Sequence, residues 1–172
     1  MKSSHRFLLI FALIVFAILP PTNAHAVGAS GDTEWPEGAT LAVQLRVSAT
    51  LDKDGQPKVT GDLIVTNPNE AAVTLQQPTN RLVLAFLVFD DLGNPVSPHG
   101  LAKVDPAFET LRLEPRATLV HHFTSLDFVT GSALWGYVLA PGKSYRIIAV
   151  YRAAGPHGPG FTSHESILQI PQ

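Results

Sequence analysis

The sequence predicts an all-β fold, an antiparallel β-sandwich of eight or nine short strands. Three observations point there. Apolar and polar residues alternate along several stretches, the period-two signature of half-buried strands. Fourteen prolines and thirteen glycines punctuate those stretches, and prolines suit sheet edges and turns rather than helices. Charged residues make up only 15% of the chain, against about 25% in typical domains, so Ser, Thr, Asn, Gln, Gly and Pro must cover much of the surface. No repeat of strand and helix appears, which argues against a parallel sheet, and the strand spacing suits a sandwich.

Residues 1–26 read as a secretory signal peptide. A basic start, MKSSHR, precedes the apolar run FLLIFALIVFAIL at residues 7–19 and then PPTNAHA. That run is shorter than the roughly 20 apolar residues of a membrane span. Cleavage is expected after Ala26, with Ala24 as the fallback. The chain has no cysteine, so neither a lipid-modified export signal nor a disulfide is available, and no membrane anchor is expected after cleavage. Loss of Lys2 and Arg6 leaves 10 basic against 14 acidic residues. With no cluster of Lys and Arg, a nucleic-acid partner is disfavoured, as is an anionic lipid surface.

Residues 27–39 lack periodicity and read as an irregular tether, with Trp35 free to dock or not. The sandwich domain is expected over residues 40–172. Leu41, Val43, Leu45 and Val47 form one apolar face, Asp54-Gly55 signals a turn, and Val59, Leu63 and Val65 form the facing strand of a hairpin. Asn67-Pro68-Asn69-Glu70 turns the chain into a short strand, Val73-Thr74-Leu75. The eight apolar residues of LVLAFLVF within residues 81–90 predict a central strand buried on both sides. Asp90-Asp91 opens the turn that closes it. Leu111-Arg112-Leu113 resumes a strand, and Glu114-Pro115-Arg116 predicts a type I turn, since Arg stands where type II favours Gly. Residues 118–123 return as a strand. Residues 124–135 are the one stretch with a possible short helix, capped by Thr124 or Ser125. Strands at residues 137–139, 144–151 and 166–170 complete the set.

The sharpest local signal is Leu139-Ala140-Pro141-Gly142-Lys143-Ser144-Tyr145. Pro141 presets φ and Gly142 accepts a positive φ, which predicts a type II turn. Tyr145, Ile147, Ala149 and Tyr151 then share a face. A Tyr just after such a turn can bond backbone upstream while its ring packs in the core, as in the tyrosine corner of immunoglobulin-like sandwiches.

The succession Val65-Thr66-Asn67, Val73-Thr74-Leu75, Phe86 through Asp90 with Gly93-Asn94, Leu113-Glu114-Pro115, Phe123 and the stretch from Tyr137 to Tyr145 resembles the BsuPI-type intracellular proteinase inhibitor domain. The resemblance spans roughly residues 60–151. It implies an immunoglobulin-like antiparallel sandwich that binds protein, in a family named for inhibiting an intracellular serine proteinase. This chain differs in carrying an export signal, and in having Val96-Ser97-Pro98-His99 where the family has a Trp-rich strand. No inhibitory residue carries over.

Chemistry-bearing motifs are sparse. His121 and His122 are adjacent on a strand and point to opposite faces, with His121 on the side of Leu119 and Phe123. His99, His122, His157 and His164 are weak candidates for a metal site without supporting ligand spacing, so no metal and no cofactor are expected. Asp90-Asp91 reads as turn chemistry. No Cys, no Gly-x-Ser-x-Gly elbow and no phosphate loop occur, and the prolines in Gly155-Pro156-His157-Gly158-Pro159-Gly160 remove N–H groups that a phosphate cradle needs. Trp135, Tyr137, Tyr145 and Tyr151 are expected in the core rather than on a sugar-binding face. The function expected is therefore an exported, non-enzymatic binding module, with a protein or envelope component as partner and loops 90–110 and 152–165 as contacts. The alternatives are a proteinase inhibitor, a metal-binding envelope protein, or a subunit of an envelope assembly.

Overall fold

The computed structural model describes residues 33–79, 81–100, 108–130 and 133–172; the signal peptide, with Ala24 and Ala26, lies outside them. The described residues contain twelve strands and no helix, and none of their segments is a helix able to cross a membrane.

One layer is the antiparallel sheet β1 (Ala42–Leu51), β2 (Pro57–Thr66) and β7 (Thr118–Phe123), in the order β1-β2-β7. Asp52 closes the β1–β2 hairpin by accepting the N–H groups of Asp54 and Gln56, each at 2.9 Å, around Gly55 at φ 73°. The second layer centres on β10 (Ser144–Arg152). It pairs with β4 (Leu84–Phe89) on one side and with β11 (Gly160–Thr162) and β12 (Ser166–Gln169) on the other. The orders β1-β2-β7 in one sheet and β4-β10-β12 in the other follow the strand distribution of the immunoglobulin-type sandwich. Val43, Leu45, Leu63 and Val65 of the first layer bury against Phe86, Val88, Ile147 and Tyr151 of the second. A short ladder of β3 (Val73–Gln76) with β6 (Thr110–Leu113) flanks them.

Four local expectations are corrected. The described residues of 124–135 form no helix: β8 (Phe128–Thr130) pairs with β9 (Ala133–Gly136), and β9 pairs with β5 (His99–Gly100). Ser125 does not cap a helix. Its hydroxyl accepts the Asp127 N–H at 2.9 Å, a tight local turn that leads into β8. Residues 137–140 are irregular rather than a strand. The turn at Glu114-Pro115-Arg116 is type II in character, because Arg116 takes φ 61° while Ala117 N–H bonds Glu114 O at 3.1 Å. What holds Arg116 there is its neighbour turn: its N–H donates to Asn67 O at 2.9 Å and its side chain pairs with Glu70. Finally, β4 is buried on one face only. Leu84, Phe86 and Val88 enter the core, while Leu87 on the other face is 45% exposed.

The segment before β1 docks. Trp35 stacks at 5.4 Å, tilted, on Phe161, and its indole N–H donates to Ala39 O at 3.1 Å. Thr33 N–H donates to Ala154 O at 2.8 Å.

Candidate functional site

The outer face of β4 forms the floor of a groove of about 670 Å³, within the range of ligand-binding clefts. An antiparallel strand with one solvated face usually alternates apolar and polar residues. Here Ala85, Leu87 and Phe89 are apolar on the outer face too, and they line the groove.

Three connections build its walls. After β4, Asp90 accepts N–H groups from Leu92 at 3.0 Å and Asn94 at 2.7 Å, and the Asn94 side-chain amide at 3.0 Å. The Asn94 side-chain and backbone donors hold the Asp90 carboxyl below the usual carboxylate range. This tight turn folds Pro95 back onto β4, where Val96 N–H bonds Val88 O at 2.8 Å. Beyond β10, Gly155 at φ 107° and successive turn bonds, Gly155 N–H to Arg152 O and Gly158 N–H to Gly155 O, both at 3.1 Å, hold Pro156 and His157 against the same groove. The third wall is Trp135 with Tyr137. Tyr137 donates its hydroxyl to Phe86 O, and burial pushes its phenol pKa up. The loops expected to carry contacts therefore meet, at residues 95–98 and 156–157.

One end of the groove is cationic. Arg81 lies with its guanidinium 4.9 Å from the centre of the Trp135 ring, a cation–π contact. Its Nε is buried without a hydrogen-bond partner. Arg152 lines the same groove, and its backbone N–H bonds Val83 O, two residues from Arg81, at 2.7 Å. No Asp or Glu lines the groove among the described residues.

The histidines are dispersed. His99 pairs in β5 opposite Gly136, His122 reaches Asp62 at 2.5 Å on the outer face of the first sheet, His157 is at the groove, and His164 lies between β11 and β12. His121 is half-buried on the inner side, and desolvation, with the His122 charge second, lowers its pKa. Among the described residues no group of three or more His, Cys, Asp or Glu is placed to hold a metal ion.

The four aromatics divide. Tyr145 and Tyr151 are in the core, at 7% and 0% exposure. Ala140 N–H donates to the Tyr145 hydroxyl at 2.9 Å, across the turn where Gly142 has φ 74° and Pro141 precedes it. Trp135 and Tyr137, by contrast, are half-buried and line the groove. Arg81 carries no local sequence signal of a site, Trp135 and Tyr137 were expected in the core, and the apolar run of β4 read as buried on both faces; the loops at 90–110 and 152–165 are the part of the groove that the sequence pointed to. The sequence matches no protein-family model and no curated protein.

Proposed function

We propose that this chain is an exported, non-enzymatic binding module that holds a partner protein in the groove over β4. The observation that carries the reading is the outer face of β4, with Leu87 45% exposed between proline-rich walls. Apolar surface left open in a concave site marks interaction. Rigid surroundings add to this, because the walls are fixed by turn hydrogen bonds and by Pro95, Pro98 and Pro156. A concave groove favours capture of a partner over insertion of a loop into a proteinase cleft, so binding is preferred to the inhibitory role implied by the resemblance. Export rests on the N-terminal sequence, and it predicts an intact mass that begins at Val27; retention of Met1 would count against it.

The groove is tested by photo-crosslinking in the cells that make the protein. A benzophenone amino acid replaces Leu87 or Ser97 in the groove. A control replaces Val138, which is apolar and 74% exposed outside it. Discrete adducts at the first two positions and none at Val138 are expected. Equal adducts at all three, or none at any, would overturn the reading.

A further inference from the structure

Resting on that reading, we infer that the groove takes an extended peptide segment of its partner in which apolar side chains flank an acidic one, with the acidic side chain held at the Arg81 end. Charge complementarity carries the inference. Arg81 and Arg152 stand at one end of an apolar channel that no described carboxylate lines. A buried donor without a partner is costly, the more so on a charged group. The Arg81 Nε is such a donor and is closed off from solvent, so the guanidinium meets the groove through its terminal N–H groups, and a carboxylate there accepts them in a charge-assisted bond that offsets the cost. Stacking on Trp135 holds the guanidinium plane in place before the partner arrives, which limits the ordering lost on binding.

The remainder of the channel asks for apolar side chains, since Leu87, Phe89, Pro95 and Val96 line it. The partner lies over these side chains rather than adding as a strand. Along β4 the outward carbonyls of Phe86 and Val88 are already taken, by the Tyr137 hydroxyl and by Val96 N–H. Side-chain recognition therefore sets the specificity.

Trp135 supplies the readout, because the chain has two tryptophans and a Trp35→Phe background leaves Trp135 alone. The probes are three pools of acetylated, amidated octapeptides. Val, Leu or Phe alternates with Ser in each, and one central position is Glu, Gln or Lys. Saturable change of Trp135 emission with the Glu pool is expected. Binding should be about tenfold or more weaker with Gln, with Lys, and with the Glu pool added to Arg81→Gln or Arg152→Gln, as for loss of one member of a hydrogen-bonded charge pair. Added salt should weaken the Glu pool selectively. Equal binding of all three pools would overturn the acidic preference while leaving the groove as a binding site. No binding of any pool, with Leu87 crosslinks still forming, would overturn the peptide assignment alone. Loss of both signals would remove the groove reading as well. A free C-terminal carboxylate as the true ligand would appear as binding restored only when the amide is omitted, and it too would overturn the side-chain assignment.

Discussion

Asn67 joins two turns that are far apart in sequence, and its side chain explains how. It is fully buried, with 0% exposure. Its Nδ2 donates to Ala71 O at 2.9 Å and to Leu113 O and Glu114 O, both at 3.1 Å. Two amide hydrogens serve three carbonyls, so one is shared. Its Oδ1 accepts Asn69 N–H at 3.0 Å and the Asn69 amide at 2.7 Å. The backbone of Asn67 repeats the clasp, donating to Ala117 O at 3.0 Å and accepting from Arg116. Asn67→Ala should cost about 3 kcal/mol, because buried carbonyls lose donors that no water replaces. Urea unfolding measures this. Asn67→Leu fills the space without donating, so it should fall as far as the alanine variant; recovery of stability in the leucine variant would show that packing, not hydrogen bonding, holds the turns.

Among the strands, β2 shows how a missing side chain shapes its neighbours. A Cβ at Gly61 would stand 2.2 Å from Arg46 O and 2.5 Å from the Phe123 ring. That vacancy lets the Phe123 ring cross β2 and meet Phe86 of the other layer, centroids 5.0 Å apart and tilted. Gly61→Ala should therefore destabilise by about 1–3 kcal/mol, the usual range for overpacking. The double variant with Phe123→Leu should lose less than the sum of the two single changes, because the ring is half of the clash. Strict additivity in thermal or urea unfolding would sink this account. The β1–β2 hairpin was legible in the sequence because its alternation and its Asp54-Gly55 turn are local signals. The strands at residues 128–130 and 133–136 were not. They are too short to show a period, and Thr124-Ser125 offers the same side-chain-to-backbone bonding to a turn as to a helix cap. The apolar run in β4 was legible as a strand, yet not as a groove floor. A run apolar on both faces is the same whether the second face is covered or open. The loops that supply Pro95 and His157 were legible as contact loops, but their meeting with Arg81 and Trp135 over β4 arises only through tertiary packing and left no trace in the sequence.

The two layers and the flanking ladder are tied by a few buried polar bonds, and these make the assembled fold sensitive to alkali. The Tyr151 hydroxyl, at the end of β10, donates to Gln76 O at 2.5 Å, while Gln76 N–H donates to Ala153 O at 2.7 Å. β3 is thus stitched to the second sheet at its last residue. Ser166 on β12 donates to Leu45 O of β1 at 2.7 Å, which links the two layers directly. Burial pushes the phenol pKa of Tyr151 well above its ordinary value of 10.0, and that of Tyr137 up as well. A folded-state pKa above the unfolded one contributes stability that is fully present below about pH 10 and is lost as pH rises towards the folded value. Each such phenol then contributes a slope of up to about −1.4 kcal/mol per pH unit above pH 10. Tyr151→Phe removes one hydrogen bond, worth about 1 kcal/mol at neutral pH, and removes one phenol from the alkaline loss. The variant should therefore be less stable than the parent at pH 8 and decline less steeply above pH 10. Its urea-unfolding free energy should meet that of the parent at about pH 11, where the parent has lost as much as the hydrogen bond supplied. Parallel curves from pH 8 to 11 would mean that Tyr151 titrates alike in the folded and unfolded chains, and the buried tie would then be no proton-linked element of the fold.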